Sequence, residues 1–219
     1  HPPDRHCLRS PGRLFFQAMT RPETFFSGLT PAQRDQFSRM EALYREWNAK
    51  INVISRRDID HFAIHHLLHS LAIAKYVQFA AGTRVMDAGT GGGFPGVPLA
   101  VMFPDCHFTL VDSIAKKIRV VEAVAAGLGL QNVTAVNGRF ESVRGRFDFI
   151  TGRAVSGLEG FTGMVRERIE PEGRNPVPNG VLYLTGGEIS GDLQRIRAQH
   201  RVMPLSGWFT GEYFTTKVL

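Results

Sequence analysis

The chain has 219 residues, a formal net charge of +6, 43% hydrophobic and 21% charged residues, the profile of one soluble globular domain with room for a small extension. No stretch approaches about 18 uninterrupted apolar residues, so no membrane span is expected, and Cys7 and Cys106 form no C-x-x-C pair, which argues for a reducing compartment and against structural zinc. The basic balance suits a polyanionic partner, since cationic surfaces release counterions from phosphate backbones, but charge alone does not decide it.

Residues 1–18 carry Pro2, Pro3, Pro11 and Gly12 and show no amphipathic period; they read as a leader or disordered segment outside the fold. Thr30-Pro31 opens a helix, with the hydroxyl capping and the proline in the first turn. Phe37, Met40, Leu43, Tyr44 and Trp47 then recur at helical spacing over 31–49. Asp58 or Asp60 is expected to cap a second helix over 60–79, with Ile64, Leu67, Leu68, Leu71, Ile73 and Ala74 inside. His61, His65 and His69 share one face of it, but no carboxylate or cysteine completes a ligand set, so no metal is expected. From residue 84 the pattern alternates, with strands at 84–87, 107–112, 132–136, 147–151 and 180–184 and helices at 96–103, 114–128 and 157–169. A helix near 190–198 and an antiparallel strand near 212–218 follow. The fold class is therefore α/β: a Rossmann-like, mostly parallel sheet with helices on both faces and an N-terminal helical extension. The extension spans 19–80 and the core 81–219.

The densest signal sits where the first strand meets a glycine turn. Arg84-Val85-Met86 leads into Asp87-Ala88-Gly89-Thr90-Gly91-Gly92-Gly93, and Phe94-Pro95-Gly96 opens the next helix. Such a turn lets a ligand press on bare backbone, and the helix start offers unpaired N–H donors. The dinucleotide fingerprint G-x-G-x-x-G needs a glycine or alanine at position 94, where this chain has Phe94. The acidic residue before G-x-G-x-G instead marks a loop that binds S-adenosyl-L-methionine (SAM), a ligand without a pyrophosphate. Asp112 ends the second strand 23 residues after Gly89, close to the offset of about 20 at which a carboxylate meets a ribose. Its competing reading is a helix cap ahead of Ser113-Ile114-Ala115.

Further candidates follow the later strands. Arg139-Phe140-Glu141 lies where an adenine commonly rests, and the Phe140 and Glu141 N–H groups could serve its edge. Arg153 follows the fourth strand and faces the cleft mouth, on the cofactor carboxylate or a substrate phosphate. Phe94 either packs under the cofactor or joins the core. Arg56, Arg57, Lys116, Lys117, Arg119, Arg139, Arg144 and Arg146 are expected largely to rim the same sheet edge and suit a phosphate-rich substrate. After the fourth strand there is neither an Asp/Asn-Pro-Pro-Tyr/Phe segment nor a cysteine, so amine gripping and covalent pyrimidine chemistry lack their residues. That fits an acceptor already nucleophilic at neutral pH, such as guanine N7.

Trp47-Asn48-Ala49-Lys50-Ile51-Asn52-Val53-Ile54-Ser55, His66-Leu67-Leu68-His69-Ser70-Leu71, the run from Asp87 to Ala100, Leu110-Val111-Asp112-Ser113, Lys116-Lys117, Arg139-Phe140-Glu141 and Arg153-Ala154 occur in that order. Over about residues 30–217 the chain thereby resembles the glucose-inhibited division protein B family, the bacterial 16S ribosomal RNA guanine-N7 methyltransferases. The resemblance implies methyl transfer from SAM to one guanine of the decoding-region loop, with 16S rRNA or the small subunit as partner and a cytoplasmic enzyme; nothing in the sequence points to an obligate dimer, so a monomer is expected. It places cofactor contacts at Gly89, Phe94, Phe140, Glu141 and Arg153, beside Gly91 and Asp112 from the fold argument, and draws His66 in with Arg56, Arg57, Lys116, Lys117 and Arg139 as RNA-side residues. Two positions depart from the family pattern: His69, where Asp is usual, and Thr185, where Lys often precedes Gly186. A methyltransferase acting on another RNA or a small metabolite, and an RNA-binding or assembly factor without turnover, are the competing readings.

Overall fold

The computed structural model describes residues 11–155 and 157–219; Cys7 and the first ten residues of the expected leader lie outside the described residues. The helices are α1 (Pro11–Met19), α2 (Pro22–Phe25), α3 (Pro31–Asn48), α4 (His69–Tyr76), α5 (Gly96–Met102), α6 (Ala115–Gly127), α7 (Leu158–Val165) and α8 (Ser190–Arg195). The strands are β1 (Arg84–Ala88), β2 (His107–Asp112), β3 (Val133–Asn137), β4 (Phe149–Arg153), β5 (Gly180–Gly186) and β6 (Lys217–Val218). They form one sheet in the order β3-β2-β1-β4-β5-β6, parallel except for β6. The strand order reverses between β1 and β4, the point at whose carboxyl edge sheets of this kind bind ligands in a crevice.

β1 and β2 are buried almost throughout, as central parallel strands covered on both faces must be. Residues alternate between the two faces. Val85, Phe108 and Phe149 join Phe37, Met40, Tyr44, Leu68 and Leu71 of the N-terminal helices, while Met86, Val111 and Ile150 pack with Phe161 and Tyr183 on the other side. α3 begins with a reciprocal cap: Thr30 Oγ1 accepts from Gln33 N, and Gln33 Oε1 accepts from Thr30 N. The Gln33 amide then donates to the carbonyls of Val101 and Met102 at 3.1 and 2.9 Å, closing the otherwise orphaned C-terminus of α5.

Several boundaries differ from the pattern reading. α1 forms over Pro11–Met19, inside the segment read as a leader. The second predicted helix is three pieces: a 3-10 turn at Ile59–His61, a π-helical stretch at Ala63–Leu68 and then α4. Neither Asp58 nor Asp60 caps it, because Asp60 pairs with Arg45 and Asp58 turns toward two histidines. The fourth strand starts two residues later than expected, and Phe147 makes only a bridge to Ile169. Residues 212–216 are a 3-10 turn, leaving just Lys217–Val218 to pair antiparallel with β5.

Candidate active site

β1 carries Asp87 to the carboxyl edge of the sheet, where its carboxylate is consumed by the fold. Asp87 is wholly buried; Oδ2 accepts from Thr90 Oγ1 at 2.6 Å and Gly96 N at 2.8 Å, and Oδ1 accepts from Thr151 Oγ1 at 2.8 Å. Burial pushes its pKa up, and these hydrogen bonds oppose that push. One side chain thus ties together the glycine turn, the start of α5 and β4.

The turn itself is pressed from two sides. Gly93 has φ +116°, and a Cβ there would lie 2.6 Å from Tyr44 Oη and 2.7 Å from Val97 Cγ2, so only glycine fits. Tyr44 also donates to the Gly92 carbonyl at 2.8 Å, which anchors the N-terminal helices to the turn. A Cβ on Gly89 would meet Val155 at 2.9 Å, whereas at Gly91, with φ +60°, it would meet nothing within 4 Å. Gly91 is where bare backbone stands open.

Asp112, at the end of β2, borders that opening. Its Oδ2 accepts from Gly91 N and its Oδ1 from Ile114 N, both at 2.9 Å. Each oxygen retains a second lone pair for a ligand hydroxyl. Both sequence readings of Asp112 thus have a place, although Ile114 and not Asp112 is the cap of α6.

Phe94 joins the core. It is buried, with ring centroids 4.6 Å from Tyr44, 5.8 Å from Phe62 and 5.1 Å from His66. The Arg153 guanidinium lies over its face, 5.3 Å from the centroid. Phe140 and Glu141 form a single 3-10 turn after β3; the Phe140 ring is half-buried against Phe161 and Glu141 is exposed.

Arg153 is held by a polar relay that no local pattern announces. It donates to the His65 carbonyl at 3.0 Å and to His66 Nδ1 at 3.1 Å. The other His66 nitrogen, Nε2, bonds Asp58 Oδ2, and His65 Nδ1 bonds Asp58 Oδ1. With Nδ1 accepting from a guanidinium, His66 must be neutral and its Nε2–H must donate to Asp58. Burial and the positive charge of Arg153 draw the His66 pKa down to about 4, which agrees. The π-helical stretch brings His65 and His66 round to Asp58, a use of that irregularity common at functional sites. The sequence grouped His66 with RNA-side residues. It is buried with both ring nitrogens engaged, so it supports Arg153 instead of meeting RNA.

His69, one of the two departures from the family pattern, is buried and bonds Tyr213 Oη through Nδ1 at 2.9 Å. Burial and nearby Arg153 and Lys217 lower its pKa to about 3. Asp58 and Tyr213 are the two residues the sequence reading missed. Asp58 had been read only as a cap, and Tyr213 reaches His69 from 144 positions away along the chain.

The basic residues divide. Lys116 and Lys117 stand in the first turn of α6 and Arg139 after β3, at the same edge as Asp112; Lys116 and Arg139 are exposed, Lys117 less so. Arg56 and Arg57 are exposed in the turn before Ile59. Arg144 and Arg146 precede β4 and flank Gly145, whose Cβ position is 3.5 Å from Arg84 at the start of β1. They lie at the amino edge, away from the crevice, which corrects their place on the rim.

A model for the family described as rRNA small subunit methyltransferase G matches residues 33–181. The chain belongs to that family. A ribosomal RNA small subunit methyltransferase G from Cytophaga hutchinsonii is 46% identical over 195 residues, covering 89% of this chain and 94% of the relative. One from Flavobacterium psychrophilum is 50% identical over 192 residues, with 88% and 91% covered. In fold, the chain is similar to a solved structure of MtNAS in complex with S-adenosylmethionine, at TM-score 0.54 and 12% identity, over 92% of this chain and 85% of that one. The family member described here is a SAM-dependent methyltransferase, and its Gly91 opening, with an acceptor carboxylate beside bare backbone, fits that cofactor.

Proposed function

We propose that this chain methylates N7 of a single guanine in the decoding-region loop of 16S ribosomal RNA, in the cytoplasm and as a monomer. The observation that carries the reading is the Gly91–Asp112 pair: exposed backbone beside a carboxylate with lone pairs to spare, in a chain of this family. Asp112 holds the ribose hydroxyls, Gly89 and Gly91 let the methionine part approach, and the Phe140–Glu141 backbone serves the adenine. Arg153, fixed by His66 and the His65 carbonyl, orients the cofactor carboxylate. Lys116, Lys117, Arg139, Arg56 and Arg57 track RNA phosphates.

The bound cofactor supplies an electrophilic sulfonium methyl. Guanine N7 offers an in-plane lone pair with no proton to remove, so the protein needs neither base nor nucleophile. Cys106, the free cysteine among the described residues, is buried and its pKa is raised by burial to about 11, so it takes no part. Catalysis then rests on alignment, which can supply about 7–11 kcal/mol. The guanine must leave its stack to present N7 in line.

Incubating the protein with tritiated cofactor and small ribosomal subunits lacking the modification tests this. Label should enter the RNA at one guanine, located by strand scission at the N7-methylated base. Label confined to protein or small molecules, or no label at all, would overturn the proposal.

A further inference from the structure

Beside the cofactor turn, at the carboxyl ends of β4 and β5, lies a cavity of about 250 Å³ bordered by Val155, Leu158, Tyr183, Thr185, Ile189 and Asp192. Three features tie it to the chemistry. Val155 lies against Gly89, close enough that a Cβ on the glycine would meet it at 2.9 Å, so one side chain separates the cavity from the glycine turn. Ala154 also borders the cavity and holds φ +49°, a left-handed conformation uncommon outside glycine; backbone strain of this kind gathers at ligand sites. The Val155 N–H donates to Tyr183 Oη at 3.2 Å, which fixes the turned chain onto the cavity floor.

The lining sets the apolar side chains of Val155, Leu158 and Ile189 against the polar groups of Tyr183, Thr185 and Asp192, of which one is charged. Asp192 is half-buried in α8, and among the described residues no donor bonds its carboxylate. The cavity is smaller than the roughly 300–1,000 Å³ of sites for drug-sized ligands, a size for one flat base, and a groove of about 940 Å³ adjoins it at Leu158, Tyr183, Thr185 and Ile189. Flipped bases are read by hydrogen bonds to the Watson–Crick edge while apolar side chains cover their faces.

We infer that this cavity receives the acceptor guanine and that Asp192 reads it, an inference that rests on the methyl-transfer function proposed above. Guanine presents two adjacent donors, N1–H and the N2 amine, and one carboxylate accepts both. N7 lies across the ring system from those donors. A base gripped at the Asp192 wall therefore turns N7 toward Val155 and the glycine turn. Adenine offers an acceptor at N1 and faces the carboxylate with a lone pair, so it is rejected by repulsion. The same carboxylate also assists the reaction. Methyl transfer forms the N7–carbon bond from the ring lone pair, breaks the carbon–sulfur bond with its electrons going to sulfur, and leaves positive charge on the purine. An anion bonded to N1–H binds that charged ring more strongly than the neutral one, which is the differential binding that accelerates a step. Thr185, where the family pattern often has Lys, lines this cavity and so faces the base and not a phosphate.

The test compares RNA carrying guanine or inosine at the methylated position, inosine lacking only the N2 amine. Wild-type enzyme should prefer guanine about tenfold in kcat/KM, and in RNA affinity measured by fluorescence anisotropy without cofactor should prefer it in the same direction. Asp192→Ala should lower kcat/KM on guanine RNA by about 10- to 100-fold and bring the guanine and inosine values together in both assays. Its SAM Kd by calorimetry should stay within about twofold of wild type. Ile189→Trp, which fills the cavity, should abolish transfer with the same unchanged SAM Kd. A guanine preference that survives Asp192→Ala, or transfer at the wild-type rate by Ile189→Trp, would overturn the inference while leaving the proposed function intact. Wild-type enzyme that places no methyl on any RNA overturns the function and this inference with it.

Discussion

The two halves of the sheet's carboxyl edge are built on opposite terms. On the β1–β2 side, polar groups are satisfied within the protein: Asp87 takes three donors, Asp112 two backbone N–H groups, and Tyr44 clamps the Gly92 carbonyl. On the β4–β5 side, Arg153 is held by the histidine relay, but beyond Ala154 the chain opens into a cavity whose only carboxylate, Asp192, has no bonded donor among the described residues. A cofactor common to every turnover suits a rigid, prepaid half. A macromolecular acceptor that must enter and leave suits a half whose polar groups wait for a partner. The contrast also shows that acidity in a motif does not assign a role: Asp87 and Asp112 lie at the ends of adjacent strands, yet Asp87 is enclosed by three internal donors while Asp112 keeps lone pairs beside the open Gly91 backbone.

The largest effect should come from removing Asp87. Asp87→Ala leaves Thr90, Thr151 and the Gly96 N–H without their buried acceptor, each worth about 1–3 kcal/mol. Urea unfolding should show a loss of roughly 3–9 kcal/mol, and a loss below about 1 kcal/mol would mean that the rigid half is not held as described. Acid should act next, through the relay. His66 and His69 have folded pKa values lowered to about 4 and about 3, so between those values and about 6.5 the unfolded chain binds more protons than the folded one. Their stabilisation is complete above about pH 6.5 and falls as pH drops, by about 2 kcal/mol for each histidine between pH 7 and 5. His66→Phe should flatten that slope in unfolding curves taken across the interval; an unchanged slope would show that His66 is not held neutral.

Asp112→Asn tests the ligand side of the rigid half. It should weaken SAM binding by about 10- to 100-fold in calorimetry, the worth of a charge-assisted hydrogen bond, and cost about 1–3 kcal/mol of stability, because one of the two backbone N–H groups loses its acceptor. A large stability loss with unchanged affinity would reduce Asp112 to a turn residue. The smallest effect belongs to the rim. Lys116→Ala or Arg139→Ala should weaken RNA binding equally across sequences and each reduce the slope of log K against log salt by about one. Arg144→Ala and Arg146→Ala, at the opposite edge, should leave that slope alone.

The glycine-turn half was largely legible in the sequence because its determinants are local. Asp87, the three glycines and Gly96 lie within ten residues, and Asp112 ends the next strand, so strand–turn–helix chemistry locates them without a fold. Thr30 as a cap and the spacing from Phe37 to Trp47 likewise placed α3, found at Pro31–Asn48. The second helix was misread as one smooth element because periodicity registers which residues are buried and not whether the backbone bonds run to the fourth or fifth residue; the π-helical stretch at Ala63–Leu68 keeps its apolar side inward. Phe94 had two open readings, and its ring packs against Tyr44 and Phe62 in the core.

Read without a structure, the chain already determined its α/β class, its strand order of events along the sequence, and the glycine turn with its acidic neighbour. Each of these depends on side-chain period, caps and backbone freedom over a few residues. Only tertiary structure joined Asp58 to Arg153 through His66, seated Tyr213 on His69, sent Arg144 and Arg146 to the far edge, and set Asp192 facing a cavity beside Val155. Those partners are separated by tens of residues, and what brings them together is burial of the two apolar faces of the sheet, a force that is proportional to area and carries no signature in local sequence.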